Sequence, residues 1–257
     1  NDNLPKFVVL GKGLGDCCGG VGAHGASYLG PEHAGIKLRI DPVNPLPFGT
    51  PGSGVFHEER KSQLELLREL NGIAGVEYPD DPVMRARIKA YELAYRMQTA
   101  APEIVDVSGE SKATLQQYGI GEKETNEYGT RCLLARRMIE RGVRFIQLYH
   151  RGWDAHQNAH TMVPAQCKDT DQPTAALLRD LKQRGMLSDT LVIWGGEFGR
   201  APTAEGTVGR DHNHYGFTVW MAGGGVKSGF TFGATDQFGC RAVRNRMHVH
   251  DLHATIL

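Results

Sequence analysis

From residue 127 onward, helical and strand-like segments alternate, and this alternation limits the chain to few folds. Glu127 to Arg141 places Leu133, Leu134, Met138 and Ile139 on one side at helical spacing, and Gly142 stops it. Arg144 to His150 then reads as a strand, Thr170 to Arg184 as a helix closed by Gly185, and Thr190 to Trp194 as a strand. Tyr215 to Ala222 is another apolar run, ending in Gly223-Gly224-Gly225, and a last helix begins at His250 and is cut off at Leu257. Strands separated by helices of this length predict an α/β fold: a mostly parallel sheet with helices on both faces. No internal repeat is visible.

The first half is less regular. Phe7 to Leu10 is a short apolar β-type run ending at Gly11. Residues 11–54 are rich in glycine and proline, with turn-formers at Asp41-Pro42, Asn44-Pro45 and Pro51-Gly52, so loops dominate there. Phe56 to Leu70 reads as a helix with Leu64, Leu67 and Leu70 inward and Asn71-Gly72 as its stop. Asp81 caps a second helix, with Pro82 in its first position and Met84, Ile88, Tyr91 and Tyr95 along one face. The expected organisation is a single domain over 1–257. It has a loop-rich lead-in (1–55), a helical insertion (56–125) and an α/β half carrying the chemistry (126–257).

Composition removes several function classes. Formal net charge is zero, so no electrostatic footprint for nucleic acid exists. No apolar run approaches the roughly 18 residues of a membrane-spanning helix, so no membrane partner is expected. The cysteines number five, at scattered positions without a C-x-x-C pair, which argues against a cysteine zinc site and for incidental thiols.

Chemistry-bearing side chains concentrate in three segments beside the apolar runs of the second half. They are Gly152-Trp153-Asp154-Ala155-His156, Gly196-Glu197-Phe198-Gly199-Arg200 and Gly209-Arg210-Asp211-His212-Asn213-His214. Carboxylate oxygen and imidazole nitrogen are the donors that divalent cations prefer. Open α/β sheets bind ligands beyond the carboxyl ends of their strands. Asp154, His156, Glu197, Asp211 and His212 are therefore the expected metal ligands. Arg200 would either pair with Glu197 or bind an anionic substrate through its guanidinium fork. Gly11-Lys12-Gly13-Leu14-Gly15 is neither a Walker loop nor a dinucleotide fingerprint. Asp251, at the start of the last helix, reads as a cap.

Taken in order, these motifs resemble a large family of bacterial proteins in the alkaline phosphatase/sulfatase superfamily, known as sulfatase-like proteins or as a domain of unknown function. The resemblance runs from about residue 140 to the end. It is carried by Arg141-Gly142-Val143-Arg144-Phe145, Gly152-Trp153-Asp154 with His156, Asp171-Gln172-Pro173 and Leu181-Lys182-Gln183-Arg184-Gly185. It continues through Glu197-Phe198-Gly199-Arg200, Gly209-Arg210-Asp211-His212 and His250-Asp251-Leu252-His253. Residues 1–60 are similar more loosely. The resemblance implies a central parallel-rich sheet with helices on both sides. It also implies two divalent metals and a Ser, Thr or modified Cys nucleophile hydrolysing phosphate or sulfate esters.

By the same resemblance Asp154 and His156 would serve one metal, Glu197 would replace the Asp of an Asp-His pair, and His212 with Asp211 would complete the site. Arg200 or Arg210 would bind the anionic group. Phe198 stands where the superfamily often has a histidine. The N-terminal portion supplying the first strand, a metal-binding Asp and the nucleophile has no counterpart in residues 1–60. The expected fold is thus alkaline phosphatase-like but incomplete, in a fragment or a natural truncation. Cys132 and Arg136 have the spacing of the sulfatase formylglycine signature, but the central proline is missing and both lie mid-helix, where packing explains them better.

The leading functional expectation is a metal-dependent hydrolase of phosphate, sulfate or related esters. One alternative is a one-metal hydrolase of carboxylic esters or lactones using metal-bound hydroxide. Another is a non-catalytic scaffold that binds metal, or a partner through an exposed sheet edge, including a second copy of the chain. The expected metal is Zn or Mn, with Ca accepted if carboxylates dominate. The expected substrate is a small-molecule ester. Compartment is not fixed by the residues; the resemblance implies a periplasmic or exported protein.

Overall fold

In the computed structural model, the residues described are 4–11, 25–26, 28–30, 33–41, 57–78, 81–196 and 198–257. They form a mixed α/β protein of two compact units. One comprises Asn1–Gln116 with Glu127–His150, the other Gln117–Asn126 with Arg151–Leu257.

The first unit is built on a parallel sheet in the order β2-β1-β3, formed by Phe7–Leu10 (β1), Ile36–Leu38 (β2) and Phe145–Leu148 (β3). Val8 pairs with both Ile36 and Ile146, so the apolar run noted at Phe7–Leu10 becomes the central strand. Its helices are His57–Glu77 (α1), Pro82–Val105 (α2), Lys112–Gln117 (α3) and Asn126–Glu140 (α4). Asp81 caps α2 as expected, its Oδ1 accepting from the Met84 amide at 3.2 Å.

The core of this unit joins Val8, Leu10 and Leu38 of the sheet to Met97, Ala101 and Ile104 of α2 and Leu134 and Met138 of α4. Each of these side chains except the smaller Ala101 contributes roughly 1.5–3 kcal/mol by leaving water. Arg137 fastens α4 to the end of α2 by donating to the Ile104 carbonyl at 2.9 Å and the Glu103 carbonyl at 2.7 Å. These are carbonyls that the ending helix leaves without intrahelical partners. The expected inward face of α1 differs: Leu67 and Leu70 are 38% and 53% exposed.

The second unit holds Ala159–Gln183 (α5), Leu191–Trp194 (β4), Gly199–Glu205 (β5), Gly209–Asn213 (β6), Trp220–Gly223 (β7), Ala234–Thr235 (β8), Ala242–Arg244 (β9) and Val249–Ile256 (α6). Here the expectation of a mostly parallel sheet is corrected. Among the described residues the parallel set has three strands, while β4 pairs antiparallel with β7, β5 with β6 and β8 with β9. The reason is connectivity. The chain leaves β4, makes the β5–β6 hairpin and returns beside β4 in the opposite direction, so no helical crossover intervenes. Helix α5 begins at Ala159, well before the expected Thr170, and carries Pro164 and Pro173 within it. A buried polar contact anchors its end: Tyr118 Oη donates to Asp180 Oδ2 at 2.9 Å, and Arg184 Nε donates to Asp180 Oδ1 at 2.6 Å.

Candidate metal centre

The 153–158 segment and the β5–β6 hairpin are stitched together by backbone. The Arg210 amide donates to the Ala155 carbonyl at 3.1 Å, and the Ala159 amide donates to the Val208 carbonyl at 3.1 Å. Gly209 makes this approach feasible, because a Cβ there would collide with the His156 carbonyl. Upstream, Gly152 turns the chain with φ +98°, a conformation that L side chains rarely adopt. On the hairpin Arg200 and His212 are cross-strand partners. Docking the loop beside them brings Asp154 and His156 to the same place.

The result is a tight triangle. His156 Nε2 lies 3.0 Å from His212 Nε2, and each of these nitrogens lies 3.0 Å from Asp154 Oδ1. The three side chains are 37%, 41% and 60% exposed for His156, His212 and Asp154, so an ion could reach them from solvent. Phe198 packs against the His212 ring with centroids 4.7 Å apart and limits its rotation. Phe198 thus packs against a ligand candidate without being one.

Arg200 completes the cluster. Its Nη2 donates to Asp154 Oδ1, and its Nη1 lies 3.4 Å from His156 Nε2 and donates to the Arg210 carbonyl at 3.3 Å. The hydrogen bond from Arg200, reinforced by that from His212, holds the Asp154 carboxyl down at about 2. His156 is shifted the other way, above its ordinary value, chiefly by its hydrogen bond to Glu205. That bond, from Nδ1 to Oε2, is 2.7 Å long. Two carboxylates against one guanidinium leave the cluster net negative while its imidazoles are neutral, which suits a divalent cation.

The other expected site residues fall as follows. Asp211 accepts from the His212 amide at 2.6 Å, and its carboxylate also lies within 4.8 Å of donor atoms of His156 and Glu205. The Arg210 side chain turns back to the hairpin, with Nη1 donating to the Ala201 carbonyl at 3.3 Å. Glu197 lies outside the described residues. The Cys132 thiol is fully buried, and burial pushes it up to about 12, so it carries no thiolate near neutral pH. The N-cap of α6 is His248, and Asp251, one turn into the helix, completes a capping box by accepting from the His248 amide at 2.7 Å.

Sequence reasoning missed Glu205. Its one local signal is a carboxylate immediately before Gly206 at the turn of an unrecognised hairpin.

Fold and site together define a mixed α/β protein with a solvent-accessible histidine–carboxylate cluster beside an arginine. The chain belongs to the family described as "Protein of unknown function (DUF1501)", whose family model matches residues 1–257. Neither a curated protein nor a solved structure matches the chain significantly.

Proposed function

We propose that this protein is a metal-dependent hydrolase of phosphate, sulfate or related esters, of the alkaline phosphatase-like class that its motifs resemble. The observation that carries the reading is the triangle of Asp154 Oδ1, His156 Nε2 and His212 Nε2, with 3.0 Å edges. Metal–ligand bonds of about 2.0–2.2 Å allow neighbouring donors of one ion to stand this close. These three residues would hold Zn or Mn, and Asp211 would be drawn on if the ion takes more ligands. A divalent cation supplies Lewis-acid polarisation of the ester and lowers the pKa of water.

The chain's own contribution is positioning. Arg200 fixes Asp154 through Nη2, and its guanidinium would bind a substrate anion beside the ion. Arg210 braces the hairpin through Ala201, so anion binding falls mainly to Arg200. Ester hydrolysis by the purified chain loaded with Zn or Mn tests the reading, using aryl phosphate, aryl sulfate and aryl carboxylate substrates. Turnover of the phosphate or sulfate ester, abolished by chelator and restored by metal, is the expected result. Turnover of the carboxylate ester alone would favour the ester or lactone reading. Metal binding without turnover of any ester class would leave a binding scaffold.

A further inference from the structure

Glu205 lies outside the triangle yet touches one of its corners. Its Oε2 is 2.7 Å from His156 Nδ1, while His156 Nε2 faces Asp154 and His212. A carboxylate has lone pairs and no proton to give, so the contact requires Nδ1 to carry the hydrogen. In a neutral imidazole the other nitrogen, Nε2, is then the one with the free lone pair. The hairpin fixes this arrangement. Glu205 pairs with Gly209 in register, and Gly209 is the residue against which the His156 backbone rests.

We propose that Glu205 is a positioning residue: by holding Nδ1 of His156 protonated it aims the Nε2 lone pair into the metal centre. This inference rests on the metal-centre reading above. Carboxylates that accept from a ligating histidine typically change metal affinity by about 10- to 100-fold when removed. Asp211, the other carboxylate near His156, takes the His212 amide instead and has no such hold on the ring.

The test measures Zn and Mn affinity by calorimetry for the full chain and its Glu205→Ala, Glu205→Gln and Asp211→Asn variants. Imidazole nitrogen NMR of the metal-free proteins, above the pH at which the ring titrates, reports the tautomer of His156. His156→Ala assigns the signal. The expected result is a Nδ1–H tautomer in the parent, its loss in Glu205→Ala, and an affinity lower by about 10- to 100-fold there. Glu205→Gln, whose amide oxygen still accepts from Nδ1, should recover part of both, and Asp211→Asn should keep the parent tautomer.

An unchanged affinity in Glu205→Ala beside a metal-binding parent would overturn the inference, as would an unchanged tautomer. Loss of a second equivalent of metal in both Glu205→Ala and Asp211→Asn would also overturn it, making Glu205 a ligand. A parent that binds no metal would overturn the metal-centre reading itself and, with it, the role assigned to Glu205. The parent titration therefore separates the two failures.

Discussion

The carbonyl of His156 rests where a side chain at position 209 would begin, so Gly209 is the point at which the loop of Asp154 and His156 docks onto the strand of His212. Packing at one glycine and the assembly of the cluster are the same event.

Replacing Gly209 with Ala should separate the two halves of the cluster. A methyl there meets backbone rather than a flexible side-chain tip, so the loop must move. Overpacking of this kind typically costs about 1–3 kcal/mol. Urea unfolding and metal titration of Gly209→Ala should show both lower stability and an affinity reduced about tenfold or more, the response expected of a centre disturbed in its geometry. Unchanged metal affinity would show that the docking does not build the centre.

Arg200 and a bound cation would compete for Asp154. Removing the guanidinium in Arg200→Ala should strengthen metal binding a few-fold, since a positive group within 3.4 Å of His156 Nε2 is lost. The same variant should bind inorganic phosphate more weakly when metal-loaded. Calorimetry with metal and then phosphate reads both changes, and a parallel loss of both affinities would contradict the separate roles.

Acid should weaken the first unit through Glu110. Burial alone would raise its pKa, but the hydrogen bonds from Arg137 and Arg136 outweigh burial and hold it below 4.5. A carboxyl lowered on folding contributes stability that is complete above its unfolded value and is lost as pH falls through its folded one. Glu110→Gln should therefore be less stable than the parent at neutral pH by about 2 kcal/mol. The difference should shrink below about pH 4. Urea melts of both proteins across this range measure it; a constant difference would refute the linkage.

Tyr118→Phe removes a buried donor from Asp180, which keeps Arg184. A cost of about 1–2 kcal/mol is expected, read by urea unfolding followed at a tryptophan of the second unit, with no change in metal affinity.

The sequence was most legible where apolar spacing sets structure. The strands at Phe7–Leu10 and Leu191–Trp194, the helix Asn126–Glu140 and the Asp81 cap follow from side chains that leave water or satisfy a helix end. Asp154, His156, Arg200 and His212 were legible by residue type beside glycines, and the described structure gathers all four.

The β5–β6 hairpin was not legible, because Gly199–Glu205 and Gly209–Asn213 are mostly polar and lack an alternating apolar face. Strand direction was equally hidden, since an apolar run such as Leu191–Trp194 fits a parallel or an antiparallel neighbour. Pro164 disguised the true start of α5. Glu205 was missed because the histidine it touches is 49 residues away in the chain. Only the docking of loop on hairpin joins them.

The most direct test of the metal centre is stoichiometric metal binding by the full chain and its Asp154→Ala and His212→Ala variants, incubated with Zn, Mn or Ca and freed of loose ions. The expected result is at least one equivalent retained by the parent and lost in both variants, with the melting profile of the metal-free proteins little changed. No retained metal in the parent under any of the three ions would contradict the metal centre, and would leave Asp154, His156, His212 and Arg200 as a surface cluster held together by its own ion pairs.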